Sequence, residues 1–259
     1  MKTIFGNVHF LKYRMQTLLE EAANLIKKSK YTMAFTGAGI SVESGIPPFR
    51  GELGLWNKYD PKVLDINYFL QNPLDSWISI REIFYDFFAS SKPNEAHKVL
   101  AKMEEKNLLK AIVTQNIDNL HFEAGNKTVY EFHGNSKKLK CLKCGELTNV
   151  ENVDLQRLPP TCSKDGSVLK PDFIFFGEGI PPYAYELSFI AAKKCEVCII
   201  IGSTGEVTPA SYVPNTAREY GATIIEVNPD KSLFTSQITD VYLKGRAGEV
   251  LSNLAQYLF

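Results

Sequence analysis

A short apolar run followed directly by a glycine-rich loop constrains the fold of this chain more than any other stretch. The run covers residues 31–35, and the loop continues as TGAGISVESGIPPFR over residues 36–50. Glycine permits sharp turns and a close approach of the backbone to a ligand because it carries no Cβ atom. Free backbone N–H groups where a helix begins are suited to bind a phosphate. The stretch therefore predicts a strand–loop–helix unit that holds a nucleotide.

The loop departs from the G-x-G-x-x-G fingerprint of dehydrogenases. Gly37 and Gly39 match its start, but the third glycine is displaced to Gly45. The acidic residue expected about 20 positions on is replaced by Trp56 and its neighbour, so a dehydrogenase is not favoured. A tight β–α turn without a ligand stays an alternative for the glycine pair. The proline-stiffened tail over residues 46–51 instead favours a loop that covers a ligand.

Composition excludes several classes of function. The chain has 259 residues, 44% of them hydrophobic and 22% charged, which fits one large α/β domain or two small ones. Its formal net charge of zero provides no field toward nucleic acid or an anionic membrane. No apolar run approaches the roughly 18 residues of a membrane span, and residues 1–10 lack the apolar region of a signal peptide. We expect a cytoplasmic protein without a nucleic-acid or membrane partner.

Apolar runs typical of buried strands recur along the chain and alternate with helical patterns. The predicted strands cover residues 31–35, 110–114, 129–132, 199–201, 223–227 and 241–243, and the predicted helices 13–30, 66–90 (one or two), 95–106, 184–194 and 249–258. Several of these strands end in a glycine or a polar cluster. Ligands of parallel α/β sheets bind beyond the carboxyl ends of the strands, so these clusters are expected to face one crevice.

Two of these strand ends carry candidate functional side chains. The second strand is followed by Gln115, Asn116, Ile117 and Asp118, a cluster suited to polar recognition. His133 ends the third strand, just before a glycine. A hydrogen-bonded core histidine is the alternative, but its position favours a functional role.

Residues 137–170 are polar and rich in loops, and they contain a candidate metal site. Cys141-x-x-Cys144 followed by glycine is half of a zinc knuckle, and Cys162-x-x-Asp165 supplies a second half in which aspartate replaces a thiolate. A site of three sulfurs and one oxygen can bind zinc, and a degenerate knuckle that keeps its shape without metal is the alternative. The pair at 195 and 198 leads straight into a buried strand, which predicts packing residues.

Taken in order, the motifs resemble the sirtuin family of NAD-dependent protein deacylases. The resemblance covers about residues 31–254, and it rests on segments 37–41 with 49–50, 114–118, 133–134, 176–178, and 202–203 with 209–210. Each motif is weak alone, but their occurrence together in this order is specific. The resemblance implies one catalytic domain over residues 1–259, with a Rossmann-like parallel sheet flanked by helices. It also implies a helical insertion at about 53–95 and a zinc-knuckle module at about 137–170.

The resemblance assigns an NAD site. It implies that the pyrophosphate lies on the first loop, that the adenosine lies at the ends of later strands, and that the nicotinamide lies after the second strand. In that order the residues are Gly37, Ala38, Gly39 and Arg50, then Gly202, Ser203, Asn228 and Ala247, then Asn116, Ile117 and Asp118. Phe49 is expected to screen the reactive ribose, and Gln115 and His133 to contact its hydroxyl groups.

The resemblance also implies the substrate and the reaction. Ile174 and Phe176 are expected to wall an acyl-lysine tunnel. Segments Gly177-Glu178 and Gly205-Glu206 are expected to pair with the backbone of an acyl-lysine protein or peptide as a third strand between two. His133 is the expected general base and Asn116 a second catalytic residue. The products would be free lysine, nicotinamide and O-acyl-ADP-ribose.

Other functions for the same pocket remain alternatives. A protein ADP-ribosyltransferase or an NAD hydrolase would use it without acyl-lysine, and an NAD-sensing module would use it without catalysis. The acidic-acyl branch of the family carries a Tyr-x-x-Arg pair where this chain has Ile80 and Ile83, which predicts a neutral acyl group. Asp165 stands in place of the family's fourth cysteine, which bears on metal affinity and not on catalysis, because the zinc of sirtuins is structural.

Overall fold

The computed structural model describes residues 2–49, 51, 54–88 and 91–259. Its strands are β1 (Thr32–Thr36), β2 (Ala111–Thr114), β3 (Val129–Glu131), β4 (Gly134–Cys141), β5 (Leu147–Asn149), β6 (Leu169–Phe173), β7 (Val197–Ile201), β8 (Thr223–Asn228) and β9 (Val241–Lys244). Its α-helices are α1 (Lys2–Lys28), α2 (Ile66–Gln71), α3 (Pro73–Ile80), α4 (Glu95–Glu105), α5 (Leu120–Ala124), α6 (Pro182–Lys194), α7 (Tyr212–Glu219), α8 (Leu233–Gln237) and α9 (Ala247–Leu258).

A six-stranded parallel sheet of order β3-β2-β1-β7-β8-β9 forms the centre of the fold. The pairing register places Thr36 beside both Thr114 and Ile201, and Ile201 beside Val227. The carboxyl ends of the four middle strands therefore lie at one level, and the predicted α/β class is confirmed. Strands β1 and β7 are buried along their whole length, which explains why both read as unbroken apolar runs.

Two apolar clusters cover the faces of this sheet. One joins α1, α4 and α9 to the sheet through residues such as Ile26, Leu100 and Leu254, and the other contains residues of α6, α7 and α8. Alternate residues of β1 belong to opposite clusters, as the two-residue period of a strand requires. The sheet is thus covered by helices on both sides, which leaves its strand ends as the place for a ligand.

A second, antiparallel sheet of order β5-β4-β6 forms its own apolar cluster with the residues after the glycine loop. That cluster includes Trp77 of α3 and Phe175, and the Trp77 Nε1–H donates a hydrogen bond of 2.8 Å to the Leu169 carbonyl oxygen. The small sheet and the helical segment therefore pack as one layer. This layer is connected to the large sheet near its carboxyl edge.

The helical segments before β2 differ in part from the sequence prediction. The first helix begins at Lys2 and not at residue 13, since no proline interrupts residues 2–28. The helical stretch predicted over residues 66–90 is broken at Asn72, before Pro73, and continues after α3 as a π-helical segment, Arg81–Phe87. Two 3-10 helices, Leu55–Asn57 and Pro61–Leu64, precede α2. Among the described helices, none has the length and apolarity to span a membrane.

Candidate active site

The glycine loop after β1 lies directly against the chain after β7. The Gly37 N–H donates to the Ile201 carbonyl at 3.0 Å, and the Gly39 N–H donates to the Gly202 carbonyl at 2.9 Å. A Cβ at Gly39 would lie 2.6 Å from the Gly202 Cα, and a Cβ at Gly202 would lie 2.3 Å from the Ile40 nitrogen. Gly202 also has a φ of +63°, which side chains rarely adopt. The glycines are therefore required by the close contact of two loops as well as by the turn.

Asn116 is held by the same loop. Its Nδ2 donates to the Gly37 carbonyl and to the Ser41 Oγ, both at 3.2 Å, and its backbone N–H donates to the Thr114 Oγ1 at 3.1 Å. With both amide hydrogens engaged, the Oδ1 remains the acceptor that the side chain offers to a ligand. Asn116 is 8% exposed, so this group is largely shielded from solvent.

Ser41 links Asn116 to Asp118. The Ser41 Oγ donates to the Asp118 Oδ2 at 2.7 Å. Burial raises the pKa of the Asp118 carboxyl, while the bonds it accepts from the Leu120 N–H and from Ser41 act in the opposite direction. The loop motif contained Ser41, but the sequence prediction gave it no role. Its fully buried hydroxyl makes it part of the site.

His133 is the last residue of the connection between β3 and β4, and its tautomer follows from its hydrogen-bond partner. Its Nδ1 lies 3.1 Å from the Gln115 carbonyl oxygen. A carbonyl only accepts, so Nδ1 carries the hydrogen and Nε2 keeps its lone pair in the neutral ring. Burial lowers the pKa of His133, and the bond to Gln115 partly offsets that shift. The ring is therefore suited to accept a proton at Nε2 near neutral pH.

The other half of the edge is formed after β7 and β8. The Gln115 Nε2 donates to the Ser203 Oγ at 3.0 Å, which connects it to the first half. The Asn228 Nδ2 donates to the Ser203 carbonyl at 3.1 Å and to the Glu226 Oε1 at 2.9 Å. Ala247 begins α9 and is 4% exposed. Like Asn116, Asn228 keeps its amide oxygen as the acceptor that it offers.

A cavity of about 750 Å³ opens beside this edge. Its lining includes nine residues that the sequence predicted for the site: Phe49, Gln115, Ile117, His133, Ile174, Phe176, Gly177, Glu178 and Glu206. Sequence reasoning missed eleven others, most of them apolar: Trp56, Leu64, Phe84, Phe173, Phe175, Gly179, Ile180, Tyr185, Val207, Thr208 and Pro209. The predicted residues outside this lining are Gly37, Ala38, Gly39, Asn116, Asp118, Gly202, Ser203, Gly205, Asn228 and Ala247. Arg50 lies outside the described residues.

The charged residues that line the cavity are acidic. Glu178 and Glu206 are its only charged members among the described residues, apart from the titratable His133. The nearby Arg81 is directed elsewhere, to Asp86 at 3.1 Å and to the Leu155 carbonyl at 3.4 Å. Ile80 and Ile83 are buried in the apolar cluster of the small sheet. The cavity thus combines an apolar interior with polar groups at the sheet edge.

The predicted metal ligands come together at one end of the small sheet. The ligand atoms of Cys141, Cys144, Cys162 and Asp165 all lie within 4.8 Å of one another. The Cys144 and Cys162 sulfurs are 3.7 Å apart, and the Cys141 sulfur lies 3.6 Å from the Asp165 carboxylate oxygens. Three thiols and one carboxylate at this spacing fit a four-coordinate zinc ion. The other two cysteines, Cys195 and Cys198, are buried packing residues, as predicted.

Comparison with known proteins gives consistent matches. The model of a family described as the Sir2 family matches residues 37–209. A protein of Pyrococcus abyssi (strain GE5 / Orsay) named NAD-dependent protein deacylase is 42% identical over 245 residues, which cover 90% of this chain and 95% of that protein. A protein of Aquifex aeolicus (strain VF5) with the same name is 41% identical over 231 residues, which cover 87% of this chain and 94% of that protein.

Solved structures agree with these relatives. A structure described as the structural basis for the mechanism and regulation of Sir2 enzymes is 40% identical, with a TM-score of 0.86 over 94% of this chain and 98% of that chain. A structure of Sir2 with a p53 peptide and NAD+ is 34% identical, with a TM-score of 0.85 over 91% and 96%. The similarity therefore extends over nearly the whole chain in sequence and in fold.

Proposed function

The chain belongs to the Sir2 family, and we propose that it is an NAD-dependent protein-lysine deacylase. The reaction transfers the acyl group of a modified lysine to ADP-ribose, with free lysine, nicotinamide and O-acyl-ADP-ribose as products. One observation carries the proposal. His133, with its lone pair on Nε2, lines a cavity that opens beside the hydrogen-bonded edge of the sheet and has an apolar wall.

The strand edge fits NAD. In this proposal the pyrophosphate lies on the loop Gly37-Ala38-Gly39, because its small residues let a ligand approach the backbone. The Gly37 and Gly39 N–H groups are engaged with the Ile201 and Gly202 carbonyls, so Ala38 is the residue of the three that offers its N–H group to the ligand. The adenosine lies against Gly202, Ser203, Asn228 and Ala247, and the nicotinamide against Asn116, Ile117 and Asp118. Phe49 covers the ribose that Gln115 contacts. Arg50 remains a predicted pyrophosphate ligand.

His133 acts as the general base. NAD supplies an electrophilic ribose carbon and nicotinamide as the leaving group. The Nε2 atom of His133 takes a proton from a ribose hydroxyl, and the bond from Nδ1 to Gln115 keeps the ring in the required tautomer. The lowered pKa of His133 keeps the ring unprotonated before that step. Asn116 orients the reactants through its amide oxygen.

The apolar side of the cavity fits a neutral acyl group. Phe84, Phe173 and Phe175 lie within the cavity lining and are each less than 5% exposed. An acidic acyl group would find the acid Glu206 and no cation among the described lining residues, and the Glu178 carboxylate is already paired with Lys170. Burial of an unpaired charge is costly, which favours acetyl and other uncharged groups.

A peptide substrate would lie at the mouth of the cavity. We propose that its backbone runs between Gly177-Glu178 and Gly205-Glu206 as an added strand. Glu206 is an exposed acid in the cavity lining, so basic residues beside the acyl-lysine are favoured. The single-domain organisation, with helical and metal-binding insertions at about 53–95 and 137–170, and a cytoplasmic location are part of the same proposal.

The test is mass spectrometry of one reaction, carried out with the protein, NAD and an acetyl-lysine peptide, with and without the peptide. We expect nicotinamide, deacetylated peptide and O-acetyl-ADP-ribose only when the peptide is present. ADP-ribose formed equally well without peptide would replace this proposal with NAD hydrolysis. A mass gain of one ADP-ribose on protein would replace it with ADP-ribosyl transfer.

A further inference from the structure

Lys170 of β6 is a buried cation that lies behind the apolar wall of the cavity. It is 4% exposed, although lysine is rarely buried without a partner. The corresponding position on the neighbouring strand is Lys140, whose side chain is exposed. The burial of Lys170 is therefore a property of this position and not of the small sheet as a whole.

The three hydrogens of the Lys170 ammonium group match three acceptors. Its Nζ lies 2.8 Å from the Pro171 carbonyl oxygen, 2.7 Å from the Phe173 carbonyl oxygen and 2.9 Å from the Glu178 Oε2. The same nitrogen lies 4.0 Å from the centre of the Phe175 ring. An ammonium group has three donors and no acceptor, so these bonds satisfy it. Lys170 is thus held in one position.

These contacts close a ring of interactions around the segment 173–178. The Glu178 Oε2 also accepts a hydrogen bond of 2.7 Å from the Phe175 N–H. Phe173, Phe175 and Glu178 all line the cavity, whereas Lys170 does not. Burial lowers the pKa of Lys170, and Glu178 opposes that shift. The cation therefore fixes the wall of the cavity from behind.

We infer that Lys170 is a positioning residue that holds segment 175–178 in the conformation that binds the acyl-lysine peptide. The inference rests on the proposed function, because it concerns the peptide edge of that site. Glu178 then serves the peptide through the backbone that its side chain immobilises, since the carboxylate is directed inward to Lys170. The residues proposed to bind NAD, such as Gly37, Asn116 and Asn228, form none of the contacts in this ring of interactions.

The test compares Lys170→Met, Lys170→Arg and the matched control Lys140→Met in the full chain. Steady-state kinetics give kcat and the KM values for NAD and for an acetyl-lysine peptide, and fluorescence anisotropy gives the peptide Kd. We expect Lys170→Met to raise the peptide KM and Kd by about tenfold or more, because truncation of one partner of a buried charged pair disrupts its surroundings. The NAD KM is expected to change little, Lys170→Arg to recover most of the loss, and Lys140→Met to behave as the parent protein.

A second variant keeps the test decisive if Lys170→Met fails to fold. The double variant Lys170→Met/Glu178→Gln leaves no unpaired buried charge, which is the usual cause of such failure. Folded Lys170→Met or double variant with an unchanged peptide KM would overturn the inference, and so would equal changes in the NAD and peptide KM values. A parent protein that neither deacylates nor binds the peptide would instead overturn the proposed function.

Discussion

The carboxyl edge of the large sheet and the apolar wall of the cavity beside it are constructed in different ways. The edge of the large sheet is held by directional bonds, such as those that join Asn116 to Gly37 and Gln115 to Ser203. The opposite wall is held by ring contacts, with 4.9 Å between the centroids of Phe84 and Phe173. Hydrogen bonds weaken steeply with angle and distance, whereas apolar burial has no preferred direction. We therefore expect the edge to be specific for one ligand and the wall to admit a class of related groups.

Replacement of His133 is expected to have the largest effect. His133→Ala removes the proposed general base, so we expect kcat to fall by about 10²–10⁴-fold, the usual contribution of such a group. The NAD Kd, measured by calorimetry, is expected to change little because the pyrophosphate and adenosine contacts are retained. Equal losses in kcat and NAD affinity would show that His133 contributes to NAD binding and not to catalysis. The edge would then contain no general base at this position.

The wall is tested by two acyl groups of equal chain length. Butyryl-lysine and succinyl-lysine differ at the chain end by a methyl and a carboxylate. Since removing a charge from water without a partner costs several kcal/mol, we expect kcat/KM for the succinyl peptide to be lower by about 100-fold or more. Competition between the two peptides in one reaction measures this ratio directly. A ratio near one would require a cation that reaches into the cavity, where Lys170 does not line it, and would remove the contrast with the edge.

The metal ligands do not line the cavity. Replacement of Asp165 is expected to have a smaller effect, which falls on zinc affinity. Asp165→Cys supplies a fourth thiolate, which is a softer ligand for zinc, and Asp165→Ala leaves three ligands. We expect zinc affinity, measured by chelator competition, to rise in the first variant. In the second variant it is expected to fall by about 10–100-fold or more, since even the loss of a residue that only supports a zinc ligand has an effect of that size. Identical affinities in both variants would exclude Asp165 as a ligand.

The pH dependence is expected to be the mildest effect near neutrality. The pKa of His133 lies below the ordinary value of about 6.5 because of burial. The neutral ring is the active form, so kcat/KM is expected to stay level as the pH falls toward that value. It should then decrease about tenfold per unit of pH below the lowered pKa. A loss that begins above pH 7 would assign another group to the edge.

The edge was largely predictable from the sequence, and the wall only in part, since Ile174 and Phe176 were expected there and most of its other residues were not. Strands such as β1 and β2 are continuous apolar runs, and their next residues, Gly37 and Gln115, stand at fixed ends that a parallel sheet brings together. The metal ligands were predictable from C-x-x-C spacing. Ser41 belonged to a recognised loop, but its link to Asp118 depends on where the two loops meet.

The wall residues come from segments far apart in the sequence. Trp56, Phe84 and Phe173 belong to a 3-10 helix, a π-helical segment and a strand, and each has the apolar character of an ordinary core residue. Which apolar residues border a cavity depends on the packing between segments, and no local period reports that packing. The start of α1 was missed for a related reason. The apolar pattern before residue 13 is weak, so the sequence did not show that the helix begins at Lys2.

The contact between Gly39 and Gly202 bears on how this enzyme can diversify. Neither position has room for a methyl group, so each of the two loops excludes side-chain variation in the other. A gene library spread evenly over the cavity would place many of its inactive clones there. New acyl preferences are accessible through the aromatic side, where exchange of one ring for another apolar group changes the shape of the cavity and leaves the nucleotide contacts in place. Variation in substrate is therefore expected at the aromatic wall, while the loops that carry Gly39 and Gly202 stay unchanged.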